Sequence, residues 1–315
     1  MMKTRISLIL LITLALTFLS GCSNKMSNAP IELKGHTDML FSVEFSPDGT
    51  KVVTGSRDKT ARIWNAKSGK ELKKLEGHTD MIFSAAFSPD GTQVVTGSLD
   101  NTARIWDAQS GQELKTLEHT GGKGVLAAFS PDGKKIVAGD GKIVRIWDAE
   151  SGKELKKLEG HTEILFSVEF SPDGTKVLTG SLDKTARIWD AESGKELKKL
   201  EGHTKGLGAT FFPDGKQVIT SGADKTTRIW DVESGKELKK WEKGTGRVGF
   251  SPDGTKIVTS GSDGNIAQIL DVESGQELKT LEGHTGMVNS AAFSPDGKRV
   301  VTGSEDSTAR IWIVK

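Results

Sequence analysis

Residues 185–204 read TARIWDAESGKELKKLEGHT, residues 60–79 read TARIWNAKSGKELKKLEGHT, and residues 143–162 read IVRIWDAESGKELKKLEGHT. Near-verbatim copies at a fixed period mark a repeat architecture, in which each unit buries its apolar faces only by stacking on its neighbours. The Trp of the I-W pair recurs at Trp64, Trp106, Trp147, Trp189, Trp230 and Trp312, with Leu270 filling the one gap, at intervals of 40 to 42 residues. A second marker, P-D-G, recurs at Pro47, Pro89, Pro131, Pro172, Pro213, Pro252 and Pro295. Seven units account for the chain from residue 31 to residue 315.

Local signals inside a unit all indicate strand. Ser42-Val43-Glu44-Phe45 runs into Ser46-Pro47-Asp48-Gly49, where Pro presets φ and Gly accepts a positive φ. Lys51-Val52-Val53-Thr54 ends at Gly55-Ser56-Arg57-Asp58, and Thr60-Ala61-Arg62-Ile63-Trp64 ends at Ser68-Gly69. In Glu71-Leu72-Lys73-Lys74-Leu75 the apolar residues stand three apart, which predicts a bulge, and the lysines suit a solvent-facing edge strand. One four-stranded antiparallel sheet cannot bury both faces, but seven packed face to face around an axis can. The predicted fold is all-β, a seven-bladed β-propeller. The last unit stops one strand short at Ile311-Trp312-Ile313-Val314-Lys315, and Leu33-Lys34-Gly35-His36 parallels Leu75-Glu76-Gly77-His78. The N-terminal strand is therefore expected to complete the C-terminal blade and close the ring.

The G-H, S-P-D-G, G-S-x-D and R-I-W-D motifs, in register over residues 31–315, resemble the WD-repeat family. The resemblance implies a structural tetrad of His, Thr, Asp and Trp in each regular blade. Matching sets are His36, Thr54, Asp58, Trp64; His78, Thr96, Asp100, Trp106; His161, Thr179, Asp183, Trp189; His203, Thr220, Asp224, Trp230; and His284, Thr302, Asp306, Trp312. Blade three departs, with Ala138 at the Thr position and a one-residue deletion around Asp140-Gly141. Blade six departs with Gly244 for His and Leu270 for Trp. These two blades are expected to be the least stable, lacking polar partners or the Trp packing itself.

The chain carries 43 basic and 42 acidic residues, net +1, which leaves no electrostatic footprint for nucleic acid. Its single cysteine, Cys22, follows Lys3, Arg5 and an apolar run from Ile6 to Leu19 that is too short for a membrane-spanning helix but fits a secretion signal. Leu19-Ser20-Gly21-Cys22 resembles a bacterial lipobox, which implies a lipoprotein: residues 1–21 a signal peptide, Cys22 lipidated, and residues 22–30 a short tether, the alternative being an ordinary signal or a membrane anchor that stays on. Two or three acyl chains would hold the protein on the membrane, since each buried CH₂ contributes about 0.8 kcal/mol. Ser23 resembles the pattern of lipoproteins passed to an outer membrane where there is one. The family's strand order implies that this tether enters at the lower face and leaves the upper face pointing outwards.

A His, a Thr hydroxyl and an Asp together suggest nucleophilic catalysis, but a trio written five times in one chain is scaffolding. No zincin, C-x-x-C, P-loop or dinucleotide motif is present, and S-P-D-G lacks the alternating ligands of a calcium loop. The expectation is a non-enzymatic, monomeric protein with no cofactor and no metal. Function belongs where the repeats disagree. Aligned on the Phe of each inner strand, the positions six and four before it read Met39 and Phe41, Met81 and Phe83, Lys123 and Val125, Ile164 and Phe166, Lys205 and Leu207, Gly244 and Gly246, and Met287 and Asn289. The resemblance puts these on the upper rim. Met39, Phe41, Met81, Phe83, Ile164, Phe166 and Met287 would form an apolar rim with aromatic anchors, suited to a protein or peptide partner, unless they pack inward and seal the hub. Arg57, standing where Leu99 and Leu182 stand in other blades, reads as a solvated turn tip. Alternatives are a small-molecule, glycan or hydrolytic function at the channel mouth, which needs polar clusters at a hub that reads Met, Phe, Ile, Gly and Lys, or a recently duplicated array with little selected function.

Overall fold

The computed structural model describes residues 29–122, 124–242, 246–260 and 264–314. Cys22, Lys123 and Gly244 lie outside the described residues. Seven four-stranded antiparallel sheets stand around an axis, each running from an inner strand at the channel to an outer strand at the perimeter. In blade one these strands are Leu40–Phe45, Lys51–Ser56, Ala61–Asn65 and Glu71–Leu75. The S-P-D-G turn forms because Gly49 takes φ +67° and its N–H donates to Ser46 O at 2.8 Å, while the Ser46 hydroxyl bonds Asp48 at 2.6 Å. The outer strand carries the expected bulge: Ile63 pairs with Lys73 and Trp64 with Glu71, leaving Leu72 unpaired and exposed.

The ring closes through Ile31–Lys34, which pairs antiparallel with Thr308–Ile313, Ile31 opposite Ile311 and Lys34 opposite Thr308. The closing strand repeats the contact of a regular blade. Glu32 takes Arg310 at 2.9 Å, as Glu71 takes Arg62 and Glu196 takes Arg187, both at 2.6 Å.

The core lies between blades rather than within them. Strand alternation sends Val52 against the preceding blade and Val53 against the following one, both fully buried. At each regular interface the outer-strand Leu of one blade packs with the Trp of the next: Leu33 with Trp64, Leu75 with Trp106, Leu117 with Trp147, Leu158 with Trp189, Leu200 with Trp230 and Leu281 with Trp312. An aromatic of this class removes about 150–250 Å² from water, worth about 4–6 kcal/mol at about 25 cal/mol per Å².

The seam between blades five and six reverses this pair. Leu270 holds the Trp position, and Trp241 stands at the outer-strand Leu position of blade five, opposite Thr227 as Leu75 is opposite Ala61. The Trp241 ring also covers Gly275, where a Cβ would lie 3.1 Å from it. Blade six was expected to lack the Trp packing. The indole is instead delivered from the neighbouring blade, and Phe212 of blade five packs against Phe250 of blade six, the rings tilted by 46° with centroids 4.4 Å apart.

Candidate functional site

The five tetrads assemble with one geometry. His36 Nδ1 lies 2.7 Å from Asp58, His36 Nε2 lies 2.7 Å from Thr54 Oγ1, and the Trp64 indole N–H donates to the same hydroxyl at 2.9 Å. The corresponding His–Asp and His–Thr distances are 2.7 and 2.7 Å at His78, 2.7 and 2.7 Å at His161, 3.0 and 2.8 Å at His203, and 2.8 and 2.7 Å at His284. Trp106, Trp189, Trp230 and Trp312 each donate to Thr96, Thr179, Thr220 and Thr302 at 2.8–2.9 Å. Burial works to raise the Asp58 carboxyl, but hydrogen bonds from His36 and Thr60 outweigh it and hold the group well below the usual range. An ionised carboxylate only accepts, so Nδ1 carries the proton and Nε2 accepts from the Thr hydroxyl. Burial holds the His36 ring below its usual pKa in spite of that carboxylate. All five threonines are fully buried at 0 % exposure, so no substrate reaches their hydroxyls. The arrangement pins strands and offers no nucleophile.

Blade three shows what the missing hydroxyl does. His119 is buried at 6 % exposure against Trp147 with ring centroids 5.3 Å apart, and neither its nitrogens nor the Trp147 indole N–H has a partner. Burial, and then the neighbouring Arg145, push this imidazole down to about 4.

The upper face is defined by the turns that meet there, with Arg57 N–H bonded to Met39 O at 2.9 Å and Leu99 N–H to Met81 O at 2.9 Å. Its rim aromatics arise from a one-residue bulge in the inner strand. Leu40 pairs with Ser56 and Ser42 with Gly55, which leaves Phe41 outside the ladder. Phe83, Phe166 and Asn289 sit in the same bulge in blades two, four and seven. Blades three and five have no such bulge. Val125 pairs with Asp140 and Leu207 with Gly222, in the register of Leu40, and both are buried between blades. Alignment on the inner-strand Phe placed Val125 and Leu207 on the rim, and it was offset by one residue for that reason.

The rim residues divide into two groups. Phe41 and Phe83 touch, centroids 5.4 Å apart, and both are half-buried. Phe166 stands apart over Gly206 and Leu182, 43 % exposed. Met39, Met81 and Ile164 are half-buried, and Met287 is 51 % exposed. Each bulge Phe leans on the next blade, Phe83 over Gly124 as Phe166 over Gly206, and the leucines at the Arg57 position, Leu99 and Leu182, support those two rings. Arg57 itself lies 3.8 Å from Asp38.

Below the rim the hub is more polar than the sequence suggested. Ser42 accepts from Ala85 N–H at 3.1 Å, Ser84 from Ala127 at 2.9 Å, Ser167 from Ala209 at 2.9 Å and Ser290 from Val43 at 3.3 Å, lacing neighbouring inner strands. Two carboxyls face the next blade in the same way, Glu44 taking Phe87 N–H at 3.2 Å and Glu169 taking Phe211 N–H at 2.6 Å and the Thr210 hydroxyl at 2.9 Å. Burial pushes both carboxyls up to about 7 against those hydrogen bonds. Arg247, from blade six, reaches across to the Phe41 carbonyl at 3.1 Å. Sequence reasoning passed over all three. The signal was there, since Ala86, Ala128, Thr210, Gly249 and Ala292 hold the matching position in the blades without Glu. Among the described residues no three His, Cys, Asp or Glu side chains gather as a metal site.

The family model described as WD domain, G-beta repeat matches residues 29–65, 69–107, 111–148, 152–190, 194–231, 239–268 and 275–312, seven segments that each begin at the outer strand of one blade and run into the next. Among curated proteins, the chain is 37% identical to Ribosome assembly protein 4 of Chaetomium thermophilum over 51 residues, 16% of this chain and 10% of that protein. It is 44% identical to Lissencephaly-1 homolog 1 of Paramecium tetraurelia over 43 residues, 14% of this chain and 11% of that protein. The chain thus matches about a tenth of the length of either relative, a span of roughly one repeat. Seven matched segments over a closed ring of seven four-stranded blades leave one conclusion: the chain belongs to the WD-repeat family.

Proposed function

We propose that this protein is a non-enzymatic, monomeric interaction platform, anchored by lipid at Cys22 in a bacterial cell envelope, that binds a protein or peptide partner through its upper rim. The observation that carries this reading is the bulge. Regular blades need only Leu40, Ile82 or Leu165 to seal the interface, and an added residue then holds Phe41, Phe83 or Phe166 outside the ladder on one face. Partly exposed aromatics and Met beside each other are the composition of binding hot spots. Proteins of this family commonly serve as interaction scaffolds, and both relatives named above are similar in about one repeat only, so their own roles are not transferred.

A pull-down from cell envelopes tests the rim. The full chain and its Phe41→Ala, Phe83→Ala, Phe166→Ala variant are compared after both show the same thermal melting. A partner kept by the parent and lost by the variant supports the rim, and equal recovery moves the site elsewhere. Labelling cells with a radioactive fatty acid tests the anchor: label in the parent and none in Cys22→Ser is expected, and an unlabelled parent removes the lipoprotein assignment.

A further inference from the structure

Blade five interrupts the rim. His203 to Phe211 is one residue shorter than His161 to Phe170, so its inner strand Leu207–Phe211 has no bulge and carries no rim aromatic. Gly208 stands where Ser42 and Ser167 stand in their blades, and a Cβ there would meet nothing within 4 Å. Blade six adds an inner strand of only three residues, Val248–Phe250, preceded by Gly246 and Arg247. Together they widen the channel on this side into a cleft of about 820 Å³, lined by blades four to six and reaching Ser84 of blade two and Leu126 and Ala127 of blade three. Phe166, Leu126, Glu169, Lys225 and Arg247 all line it. This lies within the range of about 300–1,000 Å³ usual for ligand sites.

Two features select the occupant. Gly208 lines the cleft with nothing within 4 Å of where a Cβ would stand, so a second main chain can approach to van der Waals contact there. Two cations line the cleft, Lys225 and Arg247, against the carboxyls of Glu242 and Glu169. Glu169 sits deeper, held by Phe211 N–H and Thr210, and is close to half-protonated at neutral pH, so it adds less than a full negative charge. A guanidinium on a carboxylate makes the stronger, charge-assisted kind of hydrogen bond.

On the premise that the upper rim is the binding face, we propose that this cleft takes an extended peptide segment with an apolar side chain seated against Phe166 and an acidic side chain within the next three residues on Arg247 and Lys225.

The test is selection of a randomised nonapeptide display library on the full chain held in detergent, followed by fluorescence anisotropy with an enriched peptide. Sequences with Leu, Ile, Met or Phe followed closely by Asp or Glu are expected. Their affinity falls at least tenfold for Gly208→Phe, which fills the cleft, and for Arg247→Glu, with melting unchanged. If Gly208→Phe melts lower, the exposed substitution Lys225→Glu carries the test beside Arg247→Glu, because Arg247 also donates to the Phe41 carbonyl of the rim. Enrichment of basic or uncharged peptides, no enrichment, or unchanged binding to Arg247→Glu overturns the proposal. Peptides lost by Phe41→Ala, Phe83→Ala and kept by both cleft variants would discard the cleft and retain the rim. Peptides kept by every variant would discard both.

Discussion

Blades three and four both carry RIWDAESGKELKKLEGHT, at residues 145–162 and 187–204, and differ at the centre of the unit, where blade three has Ala138 for Thr179 and no carboxylate on His119 as Asp183 is on His161. In blade four His161 and Trp189 converge on Thr179, and every buried polar group has a partner. In blade three Ala138 stands there, and His119 and Trp147 face each other with three ring nitrogens unpartnered. The fold tolerates this because the apolar stacking is unaltered: Leu117 and Trp147 pack as Leu158 and Trp189 do. Burial between blades holds the ring together, and the tetrad adds specificity and local stability at each seam.

The largest effect is expected from breaking the better blade. Thr179→Ala leaves His161 Nε2 and the Trp189 N–H unsatisfied and should cost about 2–4 kcal/mol, while Ala138→Thr should recover about 1 kcal/mol in blade three. Urea denaturation of the two variants measures both, and a cost below about 0.5 kcal/mol for Thr179→Ala would mean that the tetrad is decoration.

A second comparison, between the seam of blades five and six and the six regular seams, is sharpened by a double-mutant cycle. Trp241→Leu empties space and Leu270→Trp overfills it, so each destabilises alone, and together they rebuild the regular pair. A favourable coupling of about 1–3 kcal/mol is expected. Strict additivity would show that the exchange of Leu and Trp is coincidental.

The smallest effect concerns Glu44 and Glu169, which set blades one and four apart from the rest. Their carboxyls are raised from 4.5 to about 7 in the folded chain, so the unfolded chain releases its protons first as pH rises. Their contribution is present below pH 4.5 and is lost as pH rises to about 7. Glu44→Gln and Glu169→Gln should each gain on the order of 1 kcal/mol at pH 8 and nothing at pH 4. The tetrad histidines act in the opposite direction: their folded values lie below 6.5, so stability falls as pH drops beneath 6.5. Melting curves between pH 4 and pH 8 separate the two, and a Gln variant stabilised equally at both ends would show that packing, not protonation, is responsible.

Much of the fold was legible because its signals are local and repeated. Turn chemistry at Ser46-Pro47-Asp48-Gly49, strand patterning at Lys51-Val52-Val53-Thr54 and the match of Leu33-Lys34-Gly35-His36 to Leu75-Glu76-Gly77-His78 each concern neighbours in sequence. The rim was legible only in part. Met39, Phe41, Met81, Phe83, Ile164, Phe166 and Met287 stand at the matching turns and inner-strand bulges, whereas Val125 and Leu207 are buried between blades, because a strand's side chains change face with a shift of one residue. Trp241 and Leu270 were read separately because they stand 29 positions apart and meet only across a seam.

The period, the strand count per unit and the closing strand were determined by the sequence alone, since a sheet with two apolar faces has few ways to cover both. Which residues occupy the bulge, how an indole from one blade replaces the missing one in the next, and why Glu44 and Glu169 hold their protons were decided only in three dimensions. Each depends on register between strands or on what the neighbouring blade places opposite, and a burial of that kind has no signature in a window of sequence.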